Sequence, residues 1–368
     1  MSTIPPSDGT SPPQPSVSPQ APPPQIIIQQ PPTALGRYGK VVLVLLVLAV
    51  MSLVGLQVRY EEYFSPPRKP QEKFHSLSKE AQKKIAIITV AGTILEGDSF
   101  VKQQIDRVRE DEDVVAVVLR IDSPGGTVTG SDYLYHHLRE LREEEERKLP
   151  LVVSMGSMCA SGGYYVAMSV GDRENAIFAE PTTWTGSIGV VIPHYDFSGL
   201  LASYHVKDDS IASHKNKLMG SPTRQLTDEE RAEERKLLQD LVNISFERFK
   251  EIVRSGRPKL AGDQGALDKV TTGQIFTAKQ ALELGLVDQI GFIEEAIQRA
   301  AELAERDLDD LRCIKYEEPA TTLSDLLSVQ ASQPTVLRGD LRSLLNLTAP
   351  RAYYLCTWLP AILSNTNP

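Results

Sequence analysis

Ser161 is the residue of this sequence best placed for covalent chemistry, because two glycines and an apolar helical stretch follow it. The segment reads GSMCASGGYY (156–165) and comes directly after a predicted strand. A serine at such a strand-to-helix turn lies at the positive end of the helix, as a nucleophile requires. The Gly162 N–H would then meet the developing oxyanion. Taken alone, the same pattern more often means a serine that caps the helix. Cys159 fits a small buried side chain better than a second nucleophile.

A second glycine segment, DSPGG (122–126), also follows a predicted buried strand. Consecutive glycines allow the backbone to approach a ligand closely and to direct N–H groups at an anion. Without further context, this pattern predicts only a turn.

Four further segments follow these two along the chain: TGSIGV (185–190), SHKNKLMGSP (213–222), LTDEER (226–231) and TAKQALELGLVDQIG (277–291). Together the segments resemble the signal peptide peptidase A (SppA) family of membrane-bound serine peptidases, whose motifs read DSPGG, ASGGYY and TGSIGV. The resemblance covers roughly residues 84–300 and includes an apolar segment before them.

The resemblance implies an α/β chain with the Clp protease/crotonase-like fold, a ββα spiral, and a Ser–Lys catalytic dyad. Ser161 matches the nucleophile of the family and Lys217 matches its general base. Ser187 matches the serine that positions the lysine amine, and Gly126 and Gly162 match the two oxyanion donors.

A lysine base has a physical requirement that Lys217 must meet. A lysine of ordinary pKa, near 10.4, is charged at neutral pH, so it must be desolvated to accept a proton. A solvated Lys217 would contradict the dyad, and Lys215 is the less favoured alternative. A histidine base is disfavoured, because none occurs between Ser161 and His194 and no GxSxG elbow surrounds the serine.

Alternating strands and helices must position these segments. Apolar runs and helical periodicity predict the order 85–90 (strand), 99–110 (helix), 114–122 (strand), 130–148 (helix) and 151–155 (strand). Such alternation predicts parallel strands with crossover helices. A long amphipathic helix follows over 227–254, and its first residues, Thr227 and Glu230, fit a capping box.

The rest of the chain divides by composition. The predicted divisions are a disordered Pro/Gln/Ser-rich arm (1–35), a transmembrane helix (38–58), a stalk (59–82), the peptidase domain (83–318) and a C-terminal extension (319–368). Residues 41–58 carry no charge, and eighteen helical residues reach about 27 Å, close to the hydrocarbon thickness of a bilayer. Basic residues flank this segment on both sides, so the positive-inside rule gives no orientation.

Composition excludes several classes of protein. The 368 residues have a formal net charge of −9, which disfavours a general nucleic-acid binder. Three scattered cysteines are too few for a disulfide framework. No P-loop, dinucleotide fingerprint or metal-ligand spacing stands out, so no cofactor is predicted.

The SppA resemblance, together with the apolar segment, implies a membrane-anchored serine endopeptidase that hydrolyses remnant signal peptides and other unfolded or membrane-associated peptides. The resemblance implies a single-pass protein of a bacterial cell membrane, with its catalytic domain outside the cytoplasm. It also implies a homo-oligomer in which Ser161 and Lys217 meet across a subunit boundary. Two alternatives stay open at this point: a crotonase-type acyl-CoA enzyme and a non-catalytic membrane scaffold.

Overall fold

The computed structural model describes residues 34–64, 69–95, 97, 99–144, 147–318 and 353–355. By its internal contacts the chain divides into two units between Pro67 and Arg68. The predicted arm, residues 1–35, lies outside the described residues except for its last two. The same holds for the C-terminal extension, of which only 353–355 are described.

The first unit contains the helix α1 (Ala34–Phe64). Its stretch Tyr38–Gln57 has a mean hydropathy of 2.6 and none of it is buried within the protein. In length and composition this helix is compatible with a membrane anchor, and it is longer at both ends than the predicted span.

The second unit alternates strands and helices. Its strands are β1 (Gln71–Leu77), β2 (Lys83–Ala91), β3 (Val114–Ser123), β4 (Gly125–Thr127), β5 (Leu151–Ala160), β6 (Ile177–Ala179), β7 (Trp184–Gly186), β8 (Ile275–Thr277), β9 (Gln289–Ile290), β10 (Leu311–Glu317) and β11 (Tyr353–Leu355). Its helices are α2 (Phe100–Glu110), α3 (Val128–Glu143), α4 (Gly162–Ala167), α5 (Ser198–Ser203), α6 (Asp228–Gly256), α7 (Pro258–Ala261), α8 (Gln264–Val270), α9 (Ala278–Glu283) and α10 (Ile293–Leu303).

Nine of the described strands form one mixed sheet in the order β1-β10-β2-β3-β5-β6-β9, with β7 joining β5 to β8. The central pairs β10–β2, β2–β3, β3–β5 and β5–β6 are parallel. The edge strand β1 is antiparallel to β10. The predicted α/β class with parallel strands and crossover helices is therefore confirmed, whereas the spiral arrangement stays a prediction.

Both faces of the central strands are buried, which explains why their sequences are apolar without alternation. Along β2, Ile85 and Ile87 pack in the core on the side of α10. Ala86 and Ile88 belong to the larger core on the other face, with α2, α3, α4 and α6. Helices thus cover the sheet on both sides, and the edge formed by the carboxyl ends of the strands carries the glycine segments.

In the second unit, three elements differ from the prediction by more than two residues. Residues 71–77 of the predicted stalk form β1, which pairs with β10 at the edge of the sheet. The third predicted strand continues to Ala160, because its second half pairs with β7. The helix predicted over 130–148 begins at Val128 and ends at Glu143. Glu144, the C-cap residue, places negative charge at the negative end of the helix, which disfavours its continuation.

Candidate active site

Ser161 occupies the one-residue turn between β5 and α4. Its N–H donates to the Gly186 carbonyl at 2.8 Å, and its own carbonyl accepts from the Tyr165 N–H at 2.9 Å. These bonds hold Ser161 at φ 52° and ψ −115°, a conformation that favours glycine. The residue is 1% exposed, and its side chain does not cap α4. The capping role that the sequence left open is therefore absent here.

Gly126 and Gly162 lie side by side. A Cβ on Gly162 would stand 3.0 Å from the Gly126 nitrogen, and a Cβ on Gly126 would overlap the Ile94 carbonyl oxygen. Ile94 fixes this strand from one side, because its N–H donates to Gly125 and its carbonyl accepts from Thr127. The two predicted oxyanion donors therefore share one site at the carboxyl ends of the strands.

Ser187 lies next to the turn that holds Ser161. It follows Gly186, the acceptor of the Ser161 N–H, and its own N–H donates to the Gln274 carbonyl at 2.7 Å. Ser187 is buried and also has a positive φ, 50°. One chain thus brings four predicted site residues into the same neighbourhood.

Lys217 differs from these four residues in its exposure to solvent. It lies on a short 3-10 turn, Lys215–Leu218, and is exposed in the single chain. Within the described part of the chain, the Lys217 ammonium forms no hydrogen bond or ion pair, whereas Lys215 is held by Glu233 at 2.7 Å. One chain alone does not provide Lys217 with the desolvated environment that a lysine base needs.

An apolar surface precedes Lys217 in the chain. We call it the 195–211 surface; its exposed members are Tyr195, Phe197, Leu200, Tyr204, Val206 and Ile211. Tyr195 and Phe197 stack with ring centroids 6.1 Å apart. Exposed apolar side chains in such numbers mark an interaction surface. No sequence pattern predicted this surface, because its members follow no helical or strand period.

Two other groups could have offered a nucleophile or a metal site: the Cys159 thiol and the histidine pair of α3. Burial raises the pKa of Cys159, and its side chain is fully covered, so the thiol stays protonated and inaccessible. On α3, the ring nitrogens of His136 and His137 approach the Glu140 carboxylate at 3.1 and 2.9 Å. Arg109 already pairs with the same carboxylate at 3.0 Å, which opposes a metal ion at this position.

The strand β11 was not predicted. It pairs antiparallel with β4, and Tyr354 stands opposite Gly126. The Tyr354 ring is fully buried between Tyr165 and Phe249, at centroid distances of 5.1 and 4.6 Å. The aromatic residues at 353–359 were visible in the sequence, but nothing in their pattern indicated this partner.

Comparisons with known proteins show which family this chain is similar to. The sequence profile described as "Peptidase family S49" matches residues 143–307. A Synechocystis sp. protein named as a putative protease is 38% identical over 238 residues, which are 65% of this chain and 80% of that protein. The "Putative signal peptide peptidase SppA" of Enterococcus faecium is 32% identical over 66% of this chain and 69% of its own length.

This chain belongs to peptidase family S49. It is a serine-type peptidase, as the sequence predicted, and the SppA resemblance is confirmed. Other S49 relatives are longer: the chain spans 39% of the "Serine protease SPPA, chloroplastic" of Arabidopsis thaliana, at 31% identity over 71% of this chain.

The S49 match includes the region of Ser161, Gly162, Ser187 and Lys217 and begins after Gly126. The individual roles of these five residues stay predictions. The relatives named above are proteases, and they give no support to the acyl-CoA enzyme or the scaffold.

Proposed function

We propose that this chain is a membrane-anchored serine endopeptidase that cleaves remnant signal peptides and other unfolded or membrane-associated peptides. Ser161 is its nucleophile, and Lys217 of a neighbouring subunit is its general base. The observation that carries the proposal is the contrast within one chain: Ser161 is buried beside two glycine N–H groups, while Lys217 is exposed.

The chemistry follows from this placement. The Ser161 Oγ attacks the peptide carbonyl as the neutral Lys217 amine takes its proton. The Gly126 and Gly162 N–H groups stabilise the oxyanion of the tetrahedral intermediate. The amine then returns the proton to the leaving nitrogen, and an acyl-enzyme forms on Ser161. Water, activated by the same amine, hydrolyses the ester, while Ser187 holds the amine in position.

A subunit boundary supplies what the single chain lacks. Contact with a second copy along the 195–211 surface would remove Lys217 from water, and desolvation lowers the pKa of a lysine. The exposed apolar side chains of that surface favour such contact over solvation. In this proposal the assembly is therefore a condition for catalysis.

The substrate class follows from the binding strand and the anchor. An extended peptide that takes the place of β11 can pair with β4 as an added strand, a mode that depends on main-chain hydrogen bonds and requires an unfolded segment. With α1 inserted in a bacterial cell membrane and the peptidase unit outside the cytoplasm, signal peptides left in the bilayer are nearby substrates.

The test of the proposal mixes two inactive chains. Ser161→Ala and Lys217→Ala assemblies should each hydrolyse a fluorogenic peptide at least about 1000-fold more slowly than the wild type. Chains co-assembled in equal amounts should recover roughly a quarter of wild-type activity, because in a head-to-tail ring one site in four receives both an intact serine and an intact lysine.

The matched control is Lys215→Ala, which removes the neighbouring lysine and should retain activity. If the mixed chains stay inactive although affinity purification through a tag on one variant also recovers the other, the shared dyad is wrong. If Lys217→Ala alone retains full activity, Lys217 is not the base.

A further inference from the structure

The strand that carries the proposed nucleophile changes its partner shortly before the serine. On one side, residues 153–155 of β5 pair with β6, and residues 158–160 pair with β7. On the other side, β3 advances by two residues between its pairs with Met155 and Cys159, while β5 advances by four. The extra residues form a bulge, which we call the 156–158 bulge. Bulges redirect the chain that follows them and recur next to active sites.

The Asp122 carboxylate fills the gap that the bulge leaves on the β3 side. Its Oδ1 atom accepts from the Ser157 hydroxyl at 2.6 Å and from the Met158 N–H at 3.0 Å. A Cβ on Gly156 would stand 3.1 Å from the Asp122 Cγ, so the carboxylate lies directly against the backbone of the bulge. One side-chain oxygen thus takes the place of the main-chain partner that β3 does not supply here.

The bulge is also held from the opposite side. The Thr183 hydroxyl donates to the Gly156 carbonyl at 2.6 Å, and Thr183 is fully buried. The Arg120 guanidinium lies close to the same glycine but pairs with Glu180 at 2.6 Å. The guanidinium is therefore satisfied by another carboxylate, and Asp122 serves the bulge.

Asp122 connects the two segments that form the proposed site. Gly126 follows it by four residues, and Ser161 follows Met158 by three. The bonds to Oδ1 therefore set the position of the strand with the nucleophile relative to the segment with an oxyanion donor. Because a displacement of about 1 Å between reacting groups can lower a rate about 100-fold, this link bears directly on catalysis.

We propose that Asp122 is a positioning residue of this peptidase, which acts through the 156–158 bulge to align the Ser161 hydroxyl with the Gly126 and Gly162 N–H groups. The inference rests on the proposed roles of these three residues. Asp122 takes no part in the transfer of a proton or an acyl group. Its role belongs to the acceptor oxygen and not to the negative charge, because both bonds end on Oδ1.

Steady-state hydrolysis of a fluorogenic peptide by the full chain in its assembled form tests this role. Asp122→Ala removes both bonds and should lower kcat about 100-fold, with KM within about twofold of the wild type. Asp122→Asn keeps an acceptor oxygen at the same position. Neutral hydrogen bonds are about half as strong as those to a carboxylate, so its kcat should stay within about fivefold of the wild type.

The matched control is Asp113→Ala. Asp113 directly precedes the other end of β3 and forms a partly exposed ion pair with Lys83. This variant removes the same kind of side chain from the same strand without contact to the bulge. Its kcat and KM should both equal those of the wild type.

A peptide aldehyde distinguishes positioning from a general loss of structure. The Ser161 Oγ adds to the aldehyde carbon, the carbon–oxygen double bond becomes single, and the hydroxyl proton passes to the aldehyde oxygen. The oxygen of this hemiacetal occupies the place of the oxyanion. In Asp122→Ala the inhibition constant of the aldehyde should rise about 100-fold, in parallel with the loss of kcat/KM, while the KM of the peptide stays constant.

Ser157→Ala provides the same test with a smaller change, should Asp122→Ala fail to fold. Ser157 is exposed, and the bond from the Met158 N–H to Asp122 remains in this variant. The loss of one hydrogen bond should lower kcat about threefold to tenfold and leave KM unchanged. A wild-type kcat in Ser157→Ala would contradict the role of the bulge.

Three further results would overturn the inference: a kcat of Asp122→Ala within about threefold of the wild type, an Asp122→Asn variant as slow as Asp122→Ala, or a change in KM alone with an unchanged inhibition constant of the aldehyde. In each case, loss of hydrolysis in Ser161→Ala would still support the proposed function. Full activity of Ser161→Ala would contradict both, so the two failures are distinguishable.

Discussion

Ser161 is held at its turn by hydrogen bonds, in a backbone conformation that is unfavourable for serine. Its φ and ψ of 52° and −115° correspond to the first central residue of a type II′ turn, where glycine is preferred. Such a conformation costs a non-glycine residue about 1–3 kcal/mol. The bonds to Gly186 and Tyr165 on either side compensate for this cost and fix the direction of the side chain. The sequence motif identifies the serine. Its conformation was not predictable from the motif, because it depends on β7, which supplies the acceptor Gly186.

The backbone strain at Ser161 predicts that glycine at this position makes the fold more stable, although the proposed nucleophile is lost. Ser161→Gly should raise the free energy of unfolding by about 1 kcal/mol relative to Ser161→Ala, because alanine keeps the Cβ that opposes the positive φ. Urea unfolding of the two inactive variants measures the difference. Equal stability of both variants would show that the turn is unstrained.

Elements with two buried faces, or with strong local caps, could be predicted from the sequence. The apolar runs of β2 and β3 and the capping box of α6 are examples, and the structure confirms each of them. The edge strand β1 reads QEKFHSL, a polar segment whose partner lies more than 230 residues away. Its strand conformation comes from that distant pairing and has no local sequence pattern.

A buried ion pair fixes the end of α6 to the sheet. The Arg257 guanidinium and the Asp288 carboxylate lie 2.8 Å apart and are almost fully covered. Arg257 also donates to the Gly285 carbonyl, and Asp288 accepts from the N–H groups of Ala176 and Ile177. This network connects α6, the turn after α9 and the start of β6.

Removal of one partner should therefore be costly. Asp288→Ala is expected to lower the free energy of unfolding by about 3–5 kcal/mol, because it leaves a buried guanidinium without its counter-charge. The matched control, Glu317→Ala, breaks an exposed pair with Lys73 and should leave the free energy of unfolding nearly unchanged. Denaturant unfolding measures both, and similar losses in the two variants would contradict the assignment.

At the scale of the whole molecule, the sequence predicted where a membrane segment and a peptidase body lie, but not how the body completes its site. Four site residues could be found from motifs that one chain brings together. In the proposed assembly the environment of Lys217 depends on a surface between copies, and a single sequence does not encode that geometry in any local pattern. The apolar helix α1, in contrast, follows from composition alone.

The proposed role of α1 as a membrane anchor can be tested by placing charges in the helix. Arginine at the centre of a membrane helix costs about 2.5–3.5 kcal/mol, so Leu46→Arg together with Val50→Arg should release the full chain from membranes on alkaline extraction. Tyr38→Arg, at the end of the apolar stretch, is the control, because a long side chain there reaches the interface. Retention of the doubly substituted chain in the membrane fraction would exclude α1 as its anchor.

Because β10 lies between β1 and β2 in the sheet, its late synthesis determines when these two strands can be joined. About 220 residues separate β2 from β10 in the chain. At about 5–20 residues per second, β1 and β2 leave the ribosome roughly 10 to 40 s before the strand that joins them. During that interval both strands present unpaired edges, and the charges of β1 protect its own edge from other chains. Within the nine-stranded sheet, the strand that is translated last is therefore the one that joins β1 to β2.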